Sequence, residues 1–230
     1  MKDVKDTLLD RRSVRRYERE PITNEQMALI YEAVRNTPTS YNGQQFSVID
    51  ITDQDVKEQL YGLTGQKQIK TCSHFLLFLI DYHKIALLSE EKGIDIPCFN
   101  NTADGLIVGV VDATLAMMSA LTMAESLGLG TCPIGYARTA APEAVASLMK
   151  LPDKTFVVCG LALGVPREHP DLKPKQPVGL VVHKNYYRQD SEAMIDELKA
   201  YDETVSEYNR TREGTKSDND WAGHIVGYYR

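Results

Sequence analysis

Positions 106–130 read LIVGVVDATLAMMSALTMAESLGLG. The run is long enough to cross a bilayer. Asp112 and Glu125 lie inside it, and a carboxyl at membrane depth is costly. The stretch therefore reads as a helix buried on nearly all sides of a soluble protein. Gly128 and Gly130 mark its end, because glycine readily takes the left-handed backbone that closes a helix.

Downstream, TCPIGYAR (131–138) reads as a strand or turn, and Ala141–Met149 as a helix with Pro142 in its first turn. TFVVCGLALGVP (155–166) is a second buried strand, and REHPDLKPKQP (167–177) a proline-rich basic loop. VGLVVHKNYY (178–187) reads as a strand or extended arm, Ser191–Arg210 as a polar helix, and the rest as a polar tail with one tryptophan. Upstream, HFLLFLIDY (74–82) is a continuous apolar run suited to a buried strand, and FSVIDIT (46–52) alternates as a strand does. Gln54–Leu63 reads as a helix, and so does 2–11. Thr23 and Gln26 have capping-box spacing ahead of a helix over 24–36. TPTSYNGQQ (37–45) is a loop. Charged, Gly and Pro residues make 83–105 an excursion from the core. Strands and helices mix without βαβ alternation, which points to an α+β fold with one sheet between helices. The chain reads as one domain, 1–230, with a polar C-terminal extension from about 188.

The 230 residues carry a formal net charge of −6, and 43% are hydrophobic. Such an acid balance argues against nucleic acid as a partner. MKDVKDTLLD is too charged for a signal peptide, and Cys72, Cys98, Cys132 and Cys159 form no CxxC. Both features suggest the reducing cytoplasm, where the sequons at Asn100 and Asn209 are chance matches.

There is no GxxxxGK[ST], HExxH or GxSxG motif. GLGTCP (128–133) lacks the third glycine of a dinucleotide loop and follows a helix rather than a strand. The five histidines have no metal-ligand spacing to one another or to the cysteines, so no metal site is expected. Either the protein is not an enzyme, or a cofactor brings the chemistry. Against the acid total stands LLDRRSVRRYERE (8–20), with Arg11, Arg12, Ser13 and Arg15 close together. Arginine can fork onto a phosphate through two parallel hydrogen bonds. Lys173 and Lys175 flank Pro174 far along the chain. Two separated basic clusters can close on one phosphate, or all of these residues can be solvated surface charges.

RRSVRRY, TPTSYNGQQFSVI, TGQKQI, GVVDATLAMMSALTMAESLGLG, PIGYAR and CGLALGVPREHPDLKPKQP occur in this order. Together, from about Thr7 to His224, they resemble the nitroreductase superfamily, in its branch of FMN-dependent NAD(P)H oxidoreductases. The resemblance implies a central, mostly antiparallel sheet flanked by helices, and an intertwined homodimer with FMN at the subunit interface. Arg11, Arg12, Ser13 and Arg15 would then begin the flavin site, and Lys173 and Lys175 would complete a phosphate clamp. Thr39, Ser40 and Asn42 would approach the isoalloxazine or ribityl chain from the partner subunit, although Asn42 and Gly43 also suit a simple turn. Gln66 and Gln68 would hydrogen-bond the ribityl or ring edge, and Ile134, Gly135 and Tyr136 would pass over the ring.

No side chain is needed as nucleophile, because the resemblance implies hydride transfer from NAD(P)H to flavin N5 and onward to nitroaromatics, quinones or flavins. Arg15 would stabilise the reduced ring electrostatically. Arg212 would meet the NADPH 2′-phosphate, with Ser217 where relatives carry a second arginine. A flavin reductase supplying reduced FMN to a partner enzyme is the alternative, and a non-enzymatic flavin-binding module a more distant one.

Overall fold

A computed structural model describes residues 2–96, 102–214 and 216–230. Cys98 and Asn100 lie outside the described residues. The chain divides into two compact units, Met1–His169 and Pro170–Arg230.

The first unit is built on four strands: β1 (Phe46–Ile51), β2 (His74–Asp81), β3 (Gly130–Ile134) and β4 (Thr155–Gly164). Their order is β1-β2-β4-β3, and every neighbouring pair is antiparallel. Around them lie α1 (Val4–Leu9), α2 (Asn24–Arg35), α3 (Gln54–Thr64), α4 (Lys67–Thr71), α5 (His83–Glu91), α6 (Ala103–Ser126), α7 (Tyr136–Thr139) and α8 (Pro142–Leu148).

Helices cover both faces of the sheet, and this accounts for the unbroken apolar run in β2. Phe75, Leu77 and Leu79 point into a core completed by Leu60, Ile69, Ala137 and Val145 from α3, α4, α7 and α8. Leu76, Phe78 and Ile80 point the other way, toward Met27 and Ile30 of α2 and the alanines of α6. Alternation along the strand thus serves two cores instead of one core and solvent.

The helix read from positions 106–130 starts three residues earlier, where the Thr102 side chain accepts the Gly105 N–H. It ends as the glycines suggested. Gly128 has φ +83°, its N–H reaches the Glu125 carbonyl, and the Leu129 N–H reaches the Ala124 carbonyl at 3.0 Å, a Schellman closure. Ala113, Ala116, Ala120 and Ala124 are fully buried, and a Cβ at Gly109 would stand 2.5 Å from Ile80. Small residues thus let α6 lie close on the sheet. Burial is confined to that face. Leu106, Ile107, Val111, Leu115 and Met118 are exposed on the other, so within one chain α6 is half-covered and not enclosed on nearly all sides.

Two further segments of this unit gain detail, residues 97–101 of the 83–105 excursion lying outside the described residues. The excursion at 83–105 opens with α5, directly after β2, where Asp81 accepts the N–H of His83 at 3.0 Å. The strand or turn at 131–138 is β3 followed by the short α7.

The second unit holds α9 (Val178–Val181), α10 (Ser191–Thr211) and α11 (Trp221–Tyr228). The strand or arm expected at 178–187 is instead one helical turn and a bend. The tail at 221–228 is helical because α10 receives it: the Asp202 carboxylate accepts the N–H groups of Trp221 and Ala222 at 2.6 and 2.8 Å. Trp221 also packs edge-on against Tyr201.

Candidate cofactor site

The arginine stretch leaves α1 as an extended strap laid along the end of the sheet. Val14 N–H donates to the Thr131 carbonyl at 2.8 Å, and Glu18 N–H to the Val165 carbonyl at 2.9 Å. Arg167 N–H donates back to the Arg16 carbonyl at 3.0 Å. Two glycines make room for it. A Cβ at Gly130 would stand 2.8 Å from Val14, and one at Gly164 would stand 2.6 Å from the Tyr17 ring. Tyr17 is buried behind the strap, with its hydroxyl donating to the Val14 carbonyl at 2.7 Å. Val14 and Tyr17 therefore anchor the strap while the intervening residues face outward.

The strap presents its cations differently. Arg11 lies 3.7 Å from Glu125 and donates to Ser13 Oγ at 3.4 Å. Arg12 pairs with Asp10 and meets His169 Nδ1 at 2.9 Å. Arg15 keeps its guanidinium exposed, touching only the Ser13 carbonyl at 3.3 Å among the contacts described. Below it, Glu168 accepts the backbone N–H of Arg15 at 2.7 Å and of Arg16 at 3.2 Å. That carboxylate pins the strap from the start of the 167–177 loop, a role the sequence reading missed. Arg167 and Glu168 reach the strap because Pro166 bridges to Tyr17.

Glu125 is buried at the back of the strap. Burial raises its carboxyl above the usual range, opposed by the Thr131 hydroxyl and then by Arg11. Burial likewise pushes Cys72 up to about 12 and Cys159 to about 11, and raises Cys132. None of these thiols is a thiolate nucleophile at neutral pH.

Arg15 and Gln68 line one cavity of about 540 Å³, together with Arg16, Gly65, Lys67 and Arg167. Gln68 opens onto it from α4, its amide donating to Gln66 Oε1 at 2.9 Å. The left-handed Gly65 (φ +68°) ends α3 and turns the chain toward these glutamines. Ile134 is buried at the end of β3, while Gly135 and Tyr136 are exposed where α7 begins.

Thr39, Ser40 and Asn42 sit in the loop over 37–45, which contains a single 3-10 turn. Tyr41, Asn42 and Gln44 all have positive φ, an uncommon conformation for side chains other than Asn and Asp. Ser40 N–H donates at 3.1 Å to Asp112, a fully buried carboxylate on α6. Sequence reading used Asp112 only to reject a membrane span, and nothing in its spacing announced this contact.

Lys173 and Lys175 belong to the second unit, in the stretch without helix or strand before α9. Arg212 caps the end of α10 with its guanidinium 5.8 Å from the Tyr208 ring centre. The first unit thus brings Arg11, Arg12, Ser13 and Arg15 onto one strap, and Arg15 and Gln68 into one cavity. Among the described residues, that cavity is lined by no thiol and no acidic side chain. The cations and the amide suit a phosphorylated flavin, whose charged tail and hydrogen-bonding ring edge need such partners.

Comparisons with known proteins bear on the family and not on single residues. The model of the nitroreductase family matches residues 8–165, and the model of that family's C-terminal domain matches 173–230. The FMN reductase [NAD(P)H] of Bacillus subtilis is 37% identical over 230 residues, covering 100% of this chain and 92% of its own length. The oxygen-insensitive NADPH nitroreductase of Salmonella typhimurium is 38% identical over 219 residues, 95% of this chain and 87% of its own. Among solved structures, the hypothetical oxidoreductase YcnD from Bacillus subtilis superposes with a TM-score of 0.93 at 36% identity, over 100% of this chain and 92% of that one. The NADPH:FMN oxidoreductase from Vibrio harveyi, complexed with NAD+, gives 0.85 at 29% identity, over 98% and 90%. An antiparallel sheet with helices on both faces, a cationic strap notched into its end and matches along nearly the whole length have one reading: the chain belongs to the nitroreductase family.

Proposed function

We propose that this protein is an FMN-dependent NAD(P)H oxidoreductase that reduces nitroaromatics, quinones or flavins, working as a homodimer in the cytoplasm. The observation that carries the reading is the shared cavity of Arg15 and Gln68, a guanidinium and an amide brought together from distant parts of the chain. Relatives named as an FMN reductase and an NADPH nitroreductase support it. When bound, FMN supplies the redox chemistry, taking a hydride from NAD(P)H and handing the electrons to an oxidant.

The chain's own residues hold and tune that group. Arg11, Arg12 and Ser13 of the strap bind the phosphate, as do Lys173 and Lys175. Arg15 places positive charge beside the ring, where it favours the reduced form. Gln66 and Gln68 donate to the ring edge or ribityl chain, and Ile134, Gly135 and Tyr136 form the surface over the ring. Thr39, Ser40 and Asn42 complete the site from the partner subunit. One feature favours a dimer: Leu106, Ile107, Val111, Leu115 and Met118 leave the uncovered face of α6 apolar. The free thiols of Cys72, Cys132 and Cys159 suit a reducing compartment. Arg212 receives the NADPH 2′-phosphate.

NAD(P)H oxidation by the purified yellow protein, with menadione and then nitrofurazone as acceptor, tests the reading. Turnover with either acceptor is expected, faster with NADPH than with NADH; no oxidation with either contradicts it. A second reading, supply of reduced FMN to a partner enzyme, is favoured by the relatives named for flavin reduction. It predicts that FMN dialyses away and saturates as a substrate.

A further inference from the structure

The cavity beside Arg15 carries more positive charge than the site assignments use. Arg16, Lys67 and Arg167 line it as well, and they come from three separate chain segments. Its nearby carboxylate is already engaged: Glu168 accepts the N–H groups of Arg15 and Arg16 and lies 3.6 Å from the Arg16 guanidinium. Lys67 and Arg167 have no carboxylate partner among the described residues. Both are held in place by backbone. Lys67 opens α4 directly before Gln68, behind the fixed turn at Gly65. The Arg167 N–H is tied to the Arg16 carbonyl beside the Tyr17–Pro166 bridge. Scattered surface cations do not ordinarily converge on one concavity, because mutual repulsion disfavours the arrangement unless an anion repays it.

We propose that Lys67 and Arg167 act with Arg15 as field-setting residues of the flavin site, raising the cofactor's reduction potential by stabilising the negative charge gained on reduction. The inference rests on the proposed function, since Arg15 and Gln68 are the residues that place the ring edge in this cavity. Neither Lys67 nor Arg167 touches a reacting atom. Their effect is Coulombic, so it depends on charge and not on the shape of the side chain. Because both are exposed, salt weakens it, with screening over about 10 Å at 0.1 M.

The test uses FMN-loaded full-length protein and a reference dye, reading the poise of the flavin from its visible spectrum under argon. Lys67→Met/Arg167→Met is compared with the charge-keeping pair Lys67→Arg/Arg167→Lys, at low and high ionic strength. At low salt the neutral pair should lower the reduced-to-oxidised ratio at a fixed poise by roughly tenfold, equivalent to about 30 mV for a two-electron couple. The charge-keeping pair should match the parent protein, and high salt should bring all three together. An unchanged potential in the neutral pair overturns the inference. So does an equal drop in the charge-keeping pair, which would make the effect one of packing. Loss of FMN from the neutral pair alone also overturns it, because the cations would then be gripping the phosphate. A parent protein that takes up no FMN fails at the first step, and that result counts against the proposed function itself.

Discussion

The strap over 11–17 and the loop over 37–45 are both assigned to the flavin, yet they are built in opposite ways. The strap is fixed by three backbone hydrogen bonds to the sheet end and its flanks, two glycine notches and the buried Tyr17. The loop carries three residues of positive φ, leaves Tyr41 98% exposed, and meets α6 through the Ser40 N–H on Asp112 and the Thr37 hydroxyl on Ser119. The phosphate-facing half of the proposed site is therefore formed by the chain's own sheet. The loop stores backbone strain that only its surroundings can hold in place.

The contrast can be broken most forcefully at the strap. Gly164→Val puts a branched side chain where even a Cβ would stand 2.6 Å from Tyr17. Overpacking of this kind costs roughly 1–3 kcal/mol. The variant should lose about that much stability in urea unfolding, and FMN affinity should fall with it; an unshifted midpoint would mean the strap is not held by this notch. At the loop, Asp112→Ala leaves the Ser40 N–H without its acceptor, worth about 1–3 kcal/mol if that group stays buried. Amide exchange should speed up at Ser40 and stay slow at Val14, whereas Asp112→Asn, which keeps an acceptor oxygen, should protect both. Faster exchange at both amides would show that the two regions are one cooperative piece.

A third prediction concerns pH at the back of the strap. Burial raises the Glu125 carboxyl above 4.5 in the fold, so the protonated form is the one the fold favours. Stability from this group is full at low pH and is lost as pH rises through the raised value. Glu125→Gln removes that loss while keeping an acceptor for Thr131. Its stability relative to the parent should therefore climb from about pH 4.5 upward, as read by thermal melts across pH. A flat difference would mean that Arg11, 3.7 Å away, compensates the charge fully. The smallest effect is expected at Tyr41, whose φ of +55° suits asparagine better. Tyr41→Asn should stabilise the chain by a few tenths of a kcal/mol, and destabilisation would mean the ring has a packing role.

Much of the fold was legible because its signals are local. The Thr23 capping box and the glycines after α6 are written in adjacent residues, and the structure holds both where the spacing put them. The features that escaped are long-range. Helix α11 begins in a polar tail and is settled by Asp202 on α10. VGLVVHKNYY has strand-like residues yet no strand to pair with among the described residues, so it turns instead. The strap's arginines could be named from their density, but Glu168 and Arg167 could not be joined to them until β4 delivered Pro166 to Tyr17. Lys67 lies between Gln66 and Gln68, and nothing in the sequence singles it out. Only the shared cavity gave it a context.

We propose that FMN is held by its phosphate, with strap residues and Lys173 and Lys175 among its ligands. The most direct measurement compares FMN with riboflavin, which has the same ring and no phosphate, by fluorescence titration of flavin-free protein. FMN should bind tighter than riboflavin by at least about a hundredfold, as charge-assisted hydrogen bonds to a phosphate allow. The preference should shrink about tenfold or more in Lys173→Ala/Lys175→Ala. Equal affinity for the two flavins, or a preference that survives the double substitution intact, would contradict it.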